Sequence, residues 1–109
     1  MREKFDAAMS AVMQCREALL ATTEVEIMAR EDLKYREMVL LAALPEHTLI
    51  NGKNAETRAA QLRDLTKDQR ESLAGAERSK RLAVLRLEVA LDARRNLESI
   101  LKIDELEKI

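Results

Sequence analysis

Leu49-Ile50-Asn51-Gly52-Lys53-Asn54-Ala55-Glu56-Thr57-Arg58 is the one clear interruption in a chain that otherwise reads as helix. Asn51-Gly52 is a turn signal, because both residues tolerate positive φ. Asn54 is a good N-cap for a helix starting at Ala55, since its short side chain can accept from a free amide of the first turn. Upstream, Pro45 disfavours helix at Leu44 and stops what comes before. The chain reverses here, so this stretch decides which helical faces meet.

Residues 2–44 hold no Gly and no Pro and read as one long helix. Phe5, Met9, Val12, Leu19, Ile27, Tyr35, Met38 and Leu41 recur at mostly helical spacing and form its expected apolar stripe. Arg16, Thr22, Thr23, Glu24, Glu26 and Arg30 put polar groups on or beside that stripe. Met38-Val39-Leu40-Leu41-Ala42-Ala43-Leu44 is apolar on every side of the helix, a pattern that calls for burial by a third helix or a second subunit. Residues 45–53 form a connector, with Leu49 and Ile50 folding back onto the apolar run. A short helix follows at about 54–65, with Ala59, Leu62 and Leu65 on its apolar edge.

Thr66-Lys67-Asp68-Gln69 has the form of a capping box, in which a hydroxyl accepts from the third residue's amide and Gln69 reaches back. It opens a last helix at about 67–102. Leu73, Ala76, Lys80, Val84, Leu87, Leu91, Arg94, Leu97 and Leu101 give that helix a stripe close to a coiled-coil repeat, with two basic breaks. Ala74-Gly75-Ala76 is a small-residue patch that would let a neighbouring helix approach. Residues 103–109 read as a frayed acidic tail.

Composition agrees with an all-α class. Ala, Leu, Glu, Arg and Lys dominate, and 2 Gly and 1 Pro in 109 residues leave too little turn chemistry for a β protein. The predicted architecture is one domain: a long antiparallel helical hairpin with a short third helix at the bend. Two long helices cannot shield both stripes and the all-round apolar run, so a homodimeric helical bundle is expected, with Met38, Leu40, Leu41 and Leu44 at the interface.

Leu49-Ile50-Asn51-Gly52-Lys53-Asn54-Ala55-Glu56-Thr57-Arg58-Ala59-Ala60-Gln61-Leu62 resembles a stretch shared by small helical proteins of phages and prophages, mostly of unknown function. The resemblance implies an all-α fold and a phage or prophage origin, hence a bacterial host cytoplasm. It carries over no catalytic residue. A helix-turn-helix connection of any origin could also contain an Asn-Gly turn followed by an Asn cap.

Chemistry-bearing constellations are sparse. Gly52-Lys53-Asn54 at a helix start lacks the upstream Gly and the following Ser/Thr of a phosphate-binding loop. His47 and Cys15 are too far apart in the chain for metal-ligand spacing, and with one His in the chain no Ser–His or Cys–His pair is indicated. No catalytic residue, metal or cofactor is predicted, and an enzyme is the least favoured class. A single Cys precludes an intrachain disulfide and fits a reducing cytoplasm. The charged N-terminus has no signal-peptide apolar core, and no apolar run is long enough to span a membrane.

Net charge is −1, from 19 Lys+Arg and 20 Asp+Glu, without the basic excess of a dedicated nucleic-acid binder. The distribution is uneven: residues 1–44 hold 6 Lys+Arg and 8 Asp+Glu, whereas residues 53–95 hold 11 and 7. Arg78, Arg81, Arg86, Arg94 and Arg95 are a candidate basic face on the last helix. The favoured function is a non-enzymatic interaction or adaptor protein acting through helix–helix contacts with itself and a protein partner. A nucleic-acid-associated accessory protein using the basic face is the alternative, and a phage inhibitor of a bacterial defence enzyme is a third.

Overall fold

A computed structural model of the chain describes residues 2–43 and 49–108. Three helices follow one another: α1 (Arg2–Ala42), α2 (Ala55–Leu65) and α3 (Lys67–Glu107), with no strand among the described residues. α1 and α3 pack against each other as an antiparallel hairpin, with the short α2 between them in the chain. Leu44, Pro45 and His47 lie outside the described residues. α3 is helical through Glu107, so residues 103–107 continue the helix instead of forming a separate tail, and Asp104 is half-buried.

Packing divides into two compact units, Met1–Thr23 with Ser79–Ile109, and Glu24–Arg78. In the first, the inward positions of α1 are Phe5, Ala8, Val12, Cys15, Leu19 and Thr22. Those of α3 are Lys80, Ala83, Leu87, Ala90, Arg94, Leu97, Leu101 and Asp104. Both runs step alternately by three and four residues, the repeat that keeps one seam of a helix on its partner. Val12 and Ala83 are the buried centre. Polar seam residues are satisfied locally: the Thr22 hydroxyl donates to the Ala18 and Leu19 carbonyls, both at 3.0 Å. The neighbouring Thr23 hydroxyl donates to the Leu19 carbonyl at 2.7 Å. A threonine that bonds its own preceding turn brings no unsatisfied group into a seam.

In the second unit the same stepping continues through Glu26, Ala29, Leu33, Arg36, Leu40 and Ala43 of the first arm, and through Gln69, Leu73 and Ala76 of α3. Leu40, Ile50 and Ala76 are buried, as is Thr66 at the α2–α3 joint. Ile50 is folded in as predicted, whereas Leu49 is exposed. Two ion pairs tie α1 to α3 here, Arg30 Nη2 to Glu77 Oε1 at 3.7 Å and Arg70 Nη2 to Glu37 Oε1 at 3.3 Å. Both are partly solvated, so each favours orientation more than stability.

The seam corrects the predicted stripe of α1. Phe5, Val12 and Leu19 face inward as expected, but Met9, Ile27, Tyr35, Met38 and Leu41 are exposed. Much of the true seam is small or polar — Ala8, Cys15, Thr22, Glu26, Ala29, Arg36 — so the largest apolar residues led off it. The stripe of α3 is closer: Val84 and Leu91 are half-buried flanking residues, and Ala83 and Ala90 hold the seam positions beside them.

Candidate interaction surface

The Asn51–Asn54 turn is stitched to α2 by the polar residues of its own motif. The Asn54 side chain accepts from the Thr57 amide at 2.8 Å and from the Thr57 hydroxyl at 2.9 Å, with Asn54 extended at φ −134° and ψ 170°. This is the N-cap the sequence predicts. The Gly52 amide donates to Gln61 Oε1 at 2.8 Å, and Gln61 Nε2 donates to Asn51 Oδ1 at 2.9 Å. Arg58 Nη1 donates to the Gly52 carbonyl at 3.2 Å. The reason for glycine differs from the one expected, since its φ is not positive. A Cβ at Gly52 would lie 2.6 Å from Thr57 Cγ2 and 3.0 Å from the Arg58 amide nitrogen. Close approach of the turn to the first turn of α2 excludes a side chain there.

Thr66 does not form the predicted capping box. Its amide closes α2 by donating to the Leu62 carbonyl at 3.1 Å, and its hydroxyl donates to the same carbonyl at 2.8 Å. That hydroxyl also accepts from Arg70 Nε at 2.9 Å. With the Thr66 amide already used, Gln69 has nothing to reach back to, and its Oε1 is buried without a hydrogen-bond partner. The result is a relay from Glu37 of α1 through Arg70 to Thr66 and the end of α2. Like the turn, it is a folding device rather than a site for chemistry.

The five arginines of the predicted basic face do not all share one side of α3. Arg94 lies in the seam, 3.6 Å from Glu98, with Nη1 4.0 Å from Met9 Sδ. The Arg94 Nε–Glu98 distance is beyond hydrogen-bond length, so that nitrogen is buried without a hydrogen bond. Arg95 pairs with Asp92 at 3.4 Å. Arg78, Arg81 and Arg86 are exposed. By helical spacing Arg78, Arg81 and Arg95 share a solvated side with Glu88 and Asp92, while Arg86 is turned toward an apolar stripe. Among the described residues no group of His, Cys, Asp and Glu could hold a metal ion, and no helix is long and apolar enough to cross a membrane. Cys15 is a free, half-buried thiol.

What remains is a second apolar stripe on each long helix, one residue before each seam position. On α1 in the second unit it reads Val25, Met28, Asp32, Tyr35, Val39 and Ala42. Val25 is 56% exposed, Met28 68% and Tyr35 63%. These residues border a shallow groove floored by Ala29 and closed by Ser72 of α3. On α3 in the first unit the stripe reads Ser79, Leu82, Arg86, Val89, Ala93, Asn96, Ile100 and Ile103. Leu82, Val89, Ile100 and Ile103 are exposed, and the stripe borders two grooves along the seam, against Gln14 and Ala18 and against Ala11 of α1. The other flank of the second unit differs: Arg30 and Glu37, one residue after the seam, make the two ion pairs to α3 there, beside the exposed Ile27 and Leu41.

Of the predicted interface residues, Leu40 is buried within the chain, whereas Met38 and Leu41 are exposed. Over its described residues, 38–43, the all-round apolar run therefore splits. Its inward side belongs to the seam, and its outward sides reach solvent. No protein-family model, curated protein or solved structure matches this chain significantly.

Proposed function

We propose that the protein is a non-enzymatic helical interaction protein, acting through helix–helix contacts with itself and with a protein partner. The observation that carries this reading is the outward apolar stripe of α1, where Val25, Met28 and Tyr35 are each more than half exposed. Burying a side chain of that size contributes about 1.5–3 kcal/mol, and contiguous exposed apolar patches mark interaction sites. The stripe keeps the three-four stepping of the seam beside it, which is what a second helix packs into.

The phage or prophage origin and the host cytoplasm belong to the same proposal, and the turn motif supports them only as a resemblance. The nucleic-acid reading has less behind it. The arginines of α3 are divided among the seam, a mixed-charge side and the apolar stripe, and no aromatic residue lies among them for base stacking. Nothing in the geometry favours a defence-enzyme inhibitor over another partner.

Light scattering tests the proposal. Wild type should run as a dimer, and Met28→Glu and Tyr35→Glu should shift it toward monomer while helical circular dichroism is retained. Unchanged mass in both variants would remove the α1 stripe as the contact.

A further inference from the structure

We infer that two copies associate through the α1 stripe of the second unit, packed antiparallel about a two-fold axis level with Leu33 and Lys34, so that Asp32 of each copy meets Tyr35 and Arg36 of the other. This rests on the reading above that the chain associates with itself, and it names the surface, the direction and the register. Every residue involved lies within the one compact unit Glu24–Arg78. Val25, Met28, Asp32, Tyr35, Val39 and Ala42 step by three, four, three, four and three, which reads the same in both directions. Laid antiparallel on itself, the stripe falls into layers: Val25 on Ala42, Met28 on Val39, and Asp32 on Tyr35. The two-fold axis forms each layer twice.

The charged position selects this direction. Asp32 is exposed and borders the groove. Parallel pairing would set it against the Asp32 of the second copy. In the antiparallel layers it faces the Tyr35 hydroxyl, a donor, with Arg36 one residue further on. By helical spacing Arg36 follows Asp32 on the same flank of the stripe, the flank nearer α3. Asp32 and Arg36 stand four apart on one helix, yet neither has an ion-pair partner among the described residues. The antiparallel dimer gives each of them an opposite charge on the second copy. The α3 side leaves room at the axis. The ion pairs of Arg30 with Glu77 and of Arg70 with Glu37 bring Leu73 and Ala74 level with Leu33 and Lys34. On the groove side at that level α3 presents Ser72 and Gly75, and a Cβ on Gly75 would meet only the end of Arg78, at 3.8 Å. An unrelated helix would have to supply the same steps with a donor and a cation at the Asp32 layer, which this chain already carries.

Mixed charge reversal tests the pairing. Asp32→Arg alone places cations against Arg36, and Arg36→Glu alone places anions against Asp32. Each should dimerise at least about tenfold more weakly than wild type. An equimolar mixture restores both inter-copy ion pairs but no pair within either chain, and should recover the dimer as a heterodimer in sedimentation with one variant fluorescently labelled. Cysteine pairing tests the register without touching charge. On a Cys15→Ala background, Met28→Cys mixed with Val39→Cys should form a disulfide-linked dimer in a glutathione buffer. Neither alone should, because the two positions are about 16 Å apart along the helix, beyond the reach of a disulfide. A wild type that stays monomeric at high micromolar concentration would overturn self-association and this pairing together. A dimeric wild type whose reversals stay dimeric or fail to recover on mixing, or whose cysteine variants link alone or fail to link when mixed, would overturn the pairing alone. Should Arg36→Glu lose its helicity, the cysteine mixture decides. A wild type that associates only once a second protein is added would overturn the pairing and assign the stripe to that protein.

Discussion

Replacing Thr66 with Val tests the relay that fastens α1 to the α2–α3 joint. The two side chains have nearly the same shape, and Thr66 is fully buried, so the exchange removes a hydroxyl and leaves packing close to intact. Two hydrogen bonds go with it, one donated to Leu62 at 2.8 Å and one accepted from Arg70 Nε at 2.9 Å. The Leu62 carbonyl keeps the Thr66 amide, so that bond is worth only about 0.5–1.5 kcal/mol. The bond from the charged Arg70 is worth about 1.5–3 kcal/mol when buried. It is discounted here because the Arg70 side chain is 42% exposed and water can replace its partner. The total is about 1–3 kcal/mol. Thermal and urea unfolding followed by helical circular dichroism would measure it, and about 2 kcal/mol corresponds to a drop on the order of 10 °C in a domain of this size. A double-mutant cycle isolates the relay: on an Arg70→Met background the same exchange should cost about 1 kcal/mol less. A Thr66→Val protein within 0.5 kcal/mol of wild type, or equal cost on both backgrounds, would refute the relay.

The two glycines should respond in opposite directions to alanine. Gly52→Ala drives a methyl into Thr57 and should destabilise the turn, whereas a Cβ at Gly75 meets only the end of Arg78 at 3.8 Å, so Gly75→Ala should stabilise α3 by about 0.5–1 kcal/mol; unfolding midpoints moving the same way would contradict this. Asn54→Ala should cost about 0.5–2 kcal/mol through loss of the cap, and an unchanged midpoint would remove the cap from the account. No sequence-specific nucleic-acid binding is expected, given the near-zero net charge and the scattered arginines; nanomolar affinity for one DNA or RNA sequence at physiological salt would overturn that expectation.

Much of this fold is legible in the sequence because its signals are local. The absence of Gly and Pro before Pro45, the Asn54 cap and the run of strong helix formers each act within a few residues, and they yield the hairpin and the short helix. The seam of α1 is less legible for a physical reason. Periodicity is read from large apolar residues, but this seam is filled largely by Ala, Cys, Thr and ion-paired Glu, while Ile27, Met28 and Tyr35 lie outside it. A helix with two apolar stripes one residue apart yields a blurred single stripe unless small residues are counted as core. The local motifs mark the right places, and contacts with residues four or five positions away decide their detail. Gly52 answers to the approach of Thr57 rather than to φ, and Thr66 is claimed by the end of α2 before a box can form. The outward stripe had a signal available, the recurrence of Val25, Met28, Tyr35 and Val39 at three-four spacing, but it becomes a surface only once the seam is known.

Tyr35 offers the most direct measurement of the central claim, that the outward stripe of α1 is covered by a second copy. It is the only tyrosine, and the chain has no tryptophan, so intrinsic fluorescence reports this one position without a label. In a single chain Tyr35 is 63% exposed, and acrylamide should quench it nearly as well as free tyrosine. As protein concentration rises from the nanomolar to the high micromolar range, the account predicts a concentration-dependent fall in the quenching constant that tracks the rise in molar mass. Quenching that stays at the free-tyrosine level throughout, with the chain remaining helical, would contradict it.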